Sequence, residues 1–245
     1  MTPRATIATT LRVLTQLRRD PRTIGLIVLV PCLLVTLLRY LFAKQPGVFD
    51  RIGGTMLGIF PFITMFIVTS VTMLRERVTG TLERLMTMPL AKLDLLLGYA
   101  IAFALMAVLQ STVVSLLAFG ALDLHVQGSH VAVVALAVGN ATLGMALGLF
   151  SSAFARTEFQ AVQFMPAIVF PQVLLSGLFF PRDQMAHWLE LISDAFPLTY
   201  AYDALARVSG GGGLGGRFAL DLCVTIGATL LALGLGAATL RRRTA

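Results

Sequence analysis

The sequence predicts an all-α integral membrane protein with six transmembrane helices. Of its 245 residues, 57% are hydrophobic and only 13% are charged, whereas a soluble domain carries about 25% charged residues. Apolar runs recur along the chain, each near the length of about 20 residues that crosses a bilayer. The predicted spans are 24–42, 53–74, 95–121, 131–154, 162–180 and 218–240. They leave no room for a soluble domain, so residues 1–245 are expected to form one transmembrane domain.

The segment before the first span, residues 4–20, is basic and amphipathic. Its apolar stripe has helical spacing and consists of Ile7, Leu11, Leu14 and Leu17. Several arginines lie off that stripe, and Pro21 ends the segment. A helix of this kind lies along the lipid headgroups rather than crossing the bilayer. The alternative is a disordered basic tail.

The first apolar run is predicted to be a retained span. It starts at Ile24, is too long for the core of a signal peptide and has no small-residue cleavage site after it. Two later spans carry small residues four apart, a spacing that permits close contact between membrane helices. These pairs are Gly54 with Gly58, and Gly144 with Gly148. The fifth span contains Pro166 and Pro171, which membrane helices tolerate as kinks.

The placement of basic residues predicts the orientation in the cell membrane. With the N-terminus inside, the inner segments hold 13 basic residues and the outer segments hold five, with Arg39 inside a span. Because cytoplasmic loops carry the excess of Lys and Arg, both ends of the chain are expected in the cytoplasm, together with the stretch 75–90. The net charge of +7 therefore reflects membrane orientation, and no nucleic-acid partner is expected.

The outer connection before the sixth span begins with an amphipathic segment, residues 181–206. Its apolar positions follow helical spacing and are Met185, Trp188, Leu189 and Ile192. Trp188 is expected to be an anchor at the membrane surface, and Pro197 is expected to close this short helix. An ordinary outer loop is the alternative. The glycine-rich run 210–216 is predicted to be a flexible linker.

The chain carries no residue pattern that could supply energy or catalysis. It has no phosphate-binding loop and no metal-spaced cluster of His or Cys, and a proton-driven carrier usually places ionisable residues in mid-membrane. We therefore expect no cofactor on this chain and an energy source on another one. The polar residues of the spans predict either hydrogen bonds between helices or a substrate path, for which the candidates are Gln110, Asn140, Gln163 and Gln172.

Two stretches resemble a known family. The first is ERVTGTLERLMTMPL, from Glu76 to Leu90, and the second is LLSGLFFPRDQMAHWLELISDAFPLTYAYDALA, from Leu174 to Ala206. They are similar to the Glu-x-x-x-Gly-Thr-Leu-Glu run and the Ser-Gly, Phe-Pro, Trp and Pro-Leu-Thr-Tyr pattern of ATP-binding-cassette (ABC) permeases of the type-2 exporter superfamily. Within it, the daunorubicin-resistance-type permeases of actinobacteria resemble the chain most. Many of them have Asn where this chain has Phe196.

The resemblance implies an interfacial N-terminal helix, six spans, a cytoplasmic coupling helix (79–90 here) and an outer re-entrant helical hairpin before the sixth span. It also implies a dimer with a second permease subunit, and two separate ATPase subunits that bind ATP and Mg²⁺. The expected positions in the outer hairpin are Pro181, Trp188, Pro197 and Tyr200.

The expected coupling residues are Glu76, Gly80, Thr81, Leu82, Glu83, Leu85, Met86 and Pro89. Gly80 is predicted to break the preceding helix, Thr81 to cap a new one, and Pro89 to end it. Leu82, Leu85 and Met86 form an apolar stripe that could enter a groove on the ATPase. Around that contact would lie the charged residues Arg75, Glu76, Glu83 and Arg84. The alternative is a solvated loop whose stripe packs against the ends of its own spans.

The expected function is ATP-driven export of a hydrophobic or amphipathic compound, a drug or a lipid, by two permease subunits. Three alternatives stay open. They are an ATP-independent carrier or channel, a membrane scaffold without transport activity, and an ABC permease that exports polysaccharide.

Overall fold

The computed structural model describes residues 3–87 and 92–239, and for Pro46, Glu83, Met86 and Lys92 it describes the backbone only. Every regular element in these ranges is helical. A π-helical turn, Met165–Val169, joins two of the helices, and a 3₁₀ turn spans Arg182–Gln184. The helices are α1 (Pro3–Arg18), α2 (Pro21–Leu41), α3 (Pro46–Val78), α4 (Thr81–Thr87), α5 (Lys92–Gly120), α6 (His130–Ser151), α7 (Glu158–Phe164), α8 (Phe170–Leu175), α9 (His187–Asp194), α10 (Pro197–Ser209) and α11 (Gly216–Ala238).

Five of the described helices, α2, α3, α5, α6 and α11, are long and apolar enough to cross a bilayer. The protein is therefore a multi-pass membrane protein, as its composition predicts. In α3, 67% of the most apolar stretch is buried inside the protein, against 17% in α2 and in α11. Thus α3 lies at the centre, and α2 and α11 lie at the periphery.

The closest helix contact is that of α6 on α3, and it depends on two glycines. A Cβ atom at Gly144 would overlap the carbonyl oxygen of Phe62, and one at Gly148 would overlap that of Phe66. The Thr69 hydroxyl also donates to the Met145 carbonyl of α6 at 3.2 Å. Because small residues let helix backbones approach closely, the predicted role of this glycine pair is confirmed.

The second glycine pair lets α10 reach α3. An added Cβ at Gly54 would overlap the Ser209 side chain, and one at Gly58 would overlap the side chains of Leu205 and Asn140. Both glycines therefore mark helix contacts, as predicted.

The first helix buries part of its predicted apolar stripe, including Leu17, and exposes the rest. Ile7 and Leu11 are exposed, whereas Thr9, Thr10, Val13 and Leu17 are buried. The reason is the contact of α1 with α5. The Thr10 hydroxyl donates to the Gly98 carbonyl at 3.2 Å, and an added Cβ at Gly98 would overlap Thr9. Ile7 and Leu11, the exposed part of the stripe, remain free for the bilayer surface.

The second span is a longer helix than predicted. The predicted limits were 53–74, but α3 has 33 residues, which at 1.5 Å per residue is about 50 Å, well beyond a hydrocarbon core of about 30 Å. Arg75, Glu76 and Arg77 extend the helix because arginine and glutamate form helices readily. The start of the stretch 75–90 therefore belongs to α3, before the break predicted at Gly80.

The fifth span, predicted over 162–180 with kinks at Pro166 and Pro171, has different helix bounds in the structure. Helical structure begins earlier, at Glu158, and consists of α7, the π-helical turn and α8, which ends at Leu175. Pro166, inside the π-helical turn, and Pro171, near the start of α8, lack a backbone N–H and so disrupt the hydrogen-bond ladder. After α8 the chain turns at Gly177, whose φ is +99°, and residues 176–180 are not helical.

The amphipathic segment after this turn folds as two helices rather than one. Pro197 does not simply close a helix, since it is the first residue of α10. The Ser193 hydroxyl donates to the Leu175 carbonyl at 2.8 Å, and the Thr199 hydroxyl donates to the Ser193 carbonyl at 2.8 Å. Arg182 forms ion pairs with Asp194 and Asp203. These bonds hold α9 and α10 together at the end of the bundle opposite α4.

Replacing Gly144 with alanine is expected to destabilise the protein by about 1–3 kcal/mol, the usual cost of overpacking, because the new methyl group meets the Phe62 backbone. Thermal unfolding in detergent measures the change. Gly227→Ala on α11 is the matched control, since an added Cβ there has nothing within 4 Å. Equal unfolding midpoints for the two variants would contradict the close contact of α3 with α6.

Candidate coupling site

The turn between α3 and α4 is made by Gly80. Its φ is +72°, in the left-handed region that glycine adopts without strain. An added Cβ there would have nothing within 4 Å, so the backbone conformation, and not lack of space, requires glycine. Gly80 therefore ends the long central helix, as predicted, and directs the chain into α4.

The start of α4 differs in detail from the prediction. Thr81 is the first residue of the helix, so Gly80, and not Thr81, occupies the capping position before it. The Gly80 carbonyl accepts the first helical hydrogen bond, from the Arg84 N–H at 3.0 Å. The Thr81 hydroxyl lies 3.1 Å from that of Thr79. The turn is therefore stabilised by a side-chain contact across Gly80.

Two residues of the apolar stripe of α4, Leu82 and Leu85, face the protein itself. Leu82 is only 3% exposed and belongs to a buried cluster with Met73, Leu95 and Tyr99. Leu85 is half-buried against the same cluster. The predicted insertion of Leu82 into a partner's groove is therefore wrong for this conformation, because burial in the chain's own core uses the same apolar surface. Arg84 and Thr87 are exposed on α4.

Three of the predicted coupling residues lie wholly or partly outside the described structure. Pro89 lies outside the described residues, and so do the side chains of Glu83 and Met86. The backbone of both residues belongs to α4.

Glu76 does not rim an outer surface, contrary to the prediction. Its side chain is 3% exposed and lies 3.5 Å from the Arg12 guanidinium. Arg12 also donates a hydrogen bond to the Tyr99 hydroxyl and lies 5.4 Å from the centre of that ring. A buried carboxylate requires a partner of this kind, because an uncompensated buried charge is costly. The three residues fasten α1, α3 and α5 together.

Arg75 is likewise engaged within the chain. Its guanidinium donates two hydrogen bonds to the Glu158 carboxylate, at 2.6 and 2.9 Å. Both side chains are about half exposed, and exposed pairs contribute only about 0–1 kcal/mol. The pair therefore sets the position of α7 beside α3 more than it stabilises the fold.

Asp20 organises the start of α2 at the same end of the protein. Its carboxylate accepts from the Thr23 hydroxyl at 2.6 Å and from the Thr23 N–H at 3.2 Å. These hydrogen bonds hold the pKa of the Asp20 carboxyl below its usual range. The carboxylate thus caps the positive end of α2.

A polar cavity of about 280 Å³ lies where these elements meet. Its lining includes Arg12, Asp20, Arg75, Glu76 and Thr81, so α1, α2, α3 and α4 all border it. The described part of the chain contains no group of three or more His, Cys, Asp or Glu side chains able to hold a metal ion.

The sequence of this chain matches a known family over most of its length. Residues 4–208 match the family model described as ABC-2 type transporter. The chain belongs to the ABC-2 membrane family.

Three relatives support this membership. The chain is 28% identical over 159 residues to ABC transporter G family member 20 of Dictyostelium discoideum. The aligned residues cover 65% of the chain and 22% of the relative. It is 27% identical over 154 residues to the Escherichia coli K12 protein named "Probable multidrug ABC transporter permease YbhR", covering 63% and 42%. With "Probable multidrug ABC transporter permease YbhS" it is 26% identical over 180 residues, covering 72% and 47%. The matched part thus spans less than half of each relative.

The four candidate path residues of this ABC-2 chain do not share one cavity. Gln110, Asn140 and Gln172 are buried, whereas Gln163 is exposed on α7. Gln172 donates to the Ile168 carbonyl at 3.0 Å, within its own helical segment. Asn140 lines a cavity between α6, α10 and α11 that contains none of the other three.

The four predicted residues of the outer hairpin lie around the α9–α10 pair. Pro181 precedes the 3₁₀ turn, and Trp188 is 63% exposed on α9. Pro197 begins α10, and the Tyr200 hydroxyl donates to the Asp194 carbonyl at 2.9 Å. Tyr200 thereby joins the two helices, while Trp188 remains free to meet the membrane surface.

The sequence did not reveal that Arg12 and Tyr99 lie beside Glu76 and join α1, α3 and α5. Arg12 lies off the apolar stripe of α1, which marks it as a charge with a separate role, but nothing local indicates a partner in α3. Replacing Arg12 with methionine is expected to cost about 3–5 kcal/mol, because it leaves Glu76 buried and unpaired.

Arg75→Met is the control for that experiment, since it breaks the half-exposed pair with Glu158 and should cost about 0–1 kcal/mol. Chemical unfolding of the purified variants measures both values. An Arg12→Met loss as small as that of Arg75→Met would show that Glu76 does not depend on its pairing.

Proposed function

We propose that this chain is the permease subunit of an ATP-driven exporter in the cell membrane and that residues 1–245 act as one transmembrane permease domain. Membership of the ABC-2 family and five apolar spans support this. The kinked segment 158–175, the fifth span in chain order, brings the number of crossings to six. Both ends of the chain then lie in the cytoplasm with α1 and α4, in keeping with the excess of basic residues there.

Energy enters through α4. Two ATPase subunits, which bind ATP and Mg²⁺, contact the face of α4 that carries Glu83, Arg84 and Thr87. The observation that carries this proposal is the burial of Leu82 among residues of α3 and α5. One face of α4 is anchored in the spans, and the opposite face is available to a partner. A displacement of α4 is therefore transmitted to α3 and α5 through the packed side chains.

Transport requires a second permease subunit, either another copy or a related chain, so that a path opens between the two. The Arg12–Glu76–Tyr99 contact keeps α1, α3 and α5 in register while they move. ATP binding shifts the equilibrium towards the outward-open state only by its differential affinity for the two states. At the outer surface, α9 and α10 form the re-entrant hairpin, held by Arg182 with Asp194 and Asp203.

The cargo is a hydrophobic or amphipathic compound, such as a drug or a lipid. The relatives from Escherichia coli have "multidrug" in their names, and the resemblance to daunorubicin-resistance-type permeases favours the same class. The apolar spans, with few polar side chains, suit such a cargo better than a polysaccharide. The second candidate, an ATP-independent carrier or channel, is separated by measuring transport in membrane vesicles with and without ATP.

Glu83→Lys is expected to abolish ATP-dependent export while leaving membrane insertion intact, because it reverses a charge on the face of α4 assigned to the ATPase. Export from cells and the amount of inserted protein are measured together. Glu190→Lys, the same change on α9 at the opposite end, is the control and should export normally. Full export by a well-inserted Glu83→Lys protein would show that Glu83 is not needed for coupling to the ATPase.

Leu82→Ala separates anchoring from docking. Because Leu82 faces the spans, the variant should still bind the ATPase but should lose about 2–5 kcal/mol of stability and most ATP-dependent transport. Gentle purification from the native host measures ATPase binding, and vesicle assays measure transport. Loss of ATPase binding with stability unchanged would instead place Leu82 in the docking surface. A wild-type permease that never retains an ATPase would contradict the whole proposal.

A further inference from the structure

The exposed face of α1 carries two apolar residues between two arginines. Ile7 and Leu11 are 58% and 59% exposed. Arg4 and Arg18, near the two ends of the helix, are exposed as well. Arg4, Leu11 and Arg18 are seven residues apart, so they lie on one side of an α-helix. With a rise of 1.5 Å per residue, the two arginines are about 21 Å apart along the helix axis.

The junction of α1 and α2 adds positive charge at the same end of the protein. Arg19 and Arg22 are exposed, and residues 1–19 include no acidic side chain. The carboxylate that follows, that of Asp20, is engaged by the Thr23 hydroxyl and N–H. Four exposed arginines of this segment form no ion pair with a described residue, and they are Arg4, Arg18, Arg19 and Arg22. Their charge is therefore available to an anionic partner outside the chain.

The opposite side of α1 is fixed to the coupling site. Arg12, the third arginine of this helix, turns inward and lies 3.5 Å from the Glu76 carboxylate of α3. The Thr10 hydroxyl donates to the Gly98 carbonyl of α5 at 3.2 Å. One side of α1 is thus attached to two spans, and the other side is free to bind a surface.

We propose that this exposed face, with the arginines of the junction, binds the net-negative phospholipid headgroups of the leaflet at the α4 end. Ile7 and Leu11 enter the boundary between headgroups and acyl chains, as the apolar face of an interfacial helix does. The arginines bury their stems along that boundary and direct their guanidinium groups to phosphate oxygens. A zwitterionic headgroup offers the same phosphate together with a compensating cation, so lipids with net negative charge are preferred.

The consequence for transport rests on the proposed function. Anionic lipid holds α1 against the membrane surface, and α1 is attached to α3 and α5 beside the coupling site. ATP-dependent export is therefore expected to depend on lipid charge, whereas the binding of lipid itself does not need the ATPase.

A tryptophan in place of Leu11 reports which lipids lie beside α1. The full chain with Leu11→Trp also carries Trp188→Phe, which removes the single native tryptophan. It is placed in phosphatidylcholine nanodiscs in which a minor fraction of the lipid is brominated and quenches tryptophan fluorescence on contact. The brominated lipid is phosphatidylglycerol in one sample and phosphatidylcholine in the other.

Brominated phosphatidylglycerol is expected to quench about threefold more than brominated phosphatidylcholine, because basic residues near the membrane enrich anionic lipid. The difference should vanish in about 1 M NaCl, since the Debye length falls to about 3 Å from about 10 Å at 0.1 M. Equal quenching by the two lipids at low salt would overturn the proposal. Absence of quenching by both would place this face against protein and would overturn it as well.

Arg4→Gln combined with Arg18→Gln should remove at least half of the preference for phosphatidylglycerol at low salt. The matched control is Lys44→Gln with Arg51→Gln, which neutralises two exposed cations near the start of α3, at the opposite end of the protein. This control should keep the full preference. A full preference in the Arg4→Gln, Arg18→Gln protein, or an equal loss in both proteins, would overturn the assignment of the site to α1.

Vesicles that contain the ATPase test the consequence for transport. Wild-type export with ATP is expected to be about twofold or more faster when phosphatidylglycerol is present, because the anionic surface holds α1, and the Arg4→Gln, Arg18→Gln protein should lose this difference. Wild-type export that ignores lipid charge would overturn the role in coupling. Quenching is measured without ATPase, so a failure of lipid selection is distinguishable from a failure of ATP-driven export.

Discussion

The contact of α6 on α3 is the constraint on which the rest of the structure depends. In membranes, helices associate through close packing and hydrogen bonds rather than through a hydrophobic driving force. Gly144 and Gly148 bring the two backbones together, and Thr69 adds a hydrogen bond between the helices. With α6 fixed against it, α3 becomes a single stiff element that runs from the α10 contact at one end to Gly80 at the other.

The coupling site follows from that stiffness. Beyond the bilayer, α3 carries Arg75 and Glu76, which attach α7 and α1 to it, and Gly80 then turns the chain into α4. Leu82 is buried among residues of α3 and α5, so α4 is packed against both helices. The buried Glu76 is tolerated because Arg12 lies beside it, and this dependence joins the N-terminal helix to the same unit.

The sequence predicts elements well where the signal is local. Apolar length and glycine spacing are local, and five spans and both glycine contacts were predictable from them. Kinks in the fifth span were predictable from Pro166 and Pro171, but hydropathy registers neither the π-helical turn nor the end of the helix at Leu175. The 3.6-residue period of α4 predicts a helix with one apolar face, but it does not say whether that face meets the chain's own core or a partner. Arg12 and Glu76 are far apart in sequence, so their pairing depends on the fold.

The face of α4 opposite Leu82 is the proposed contact surface for an ATPase. The most direct measurement places a photo-crosslinking residue at position 84 and, as the control, at position 188 on the exposed face of α9, in membranes of the native host. The account predicts an adduct between the permease and an ATPase from position 84, with a yield that changes when ATP is added, and none from position 188. Absence of an ATPase adduct from position 84, or equal yields from both positions, would contradict it.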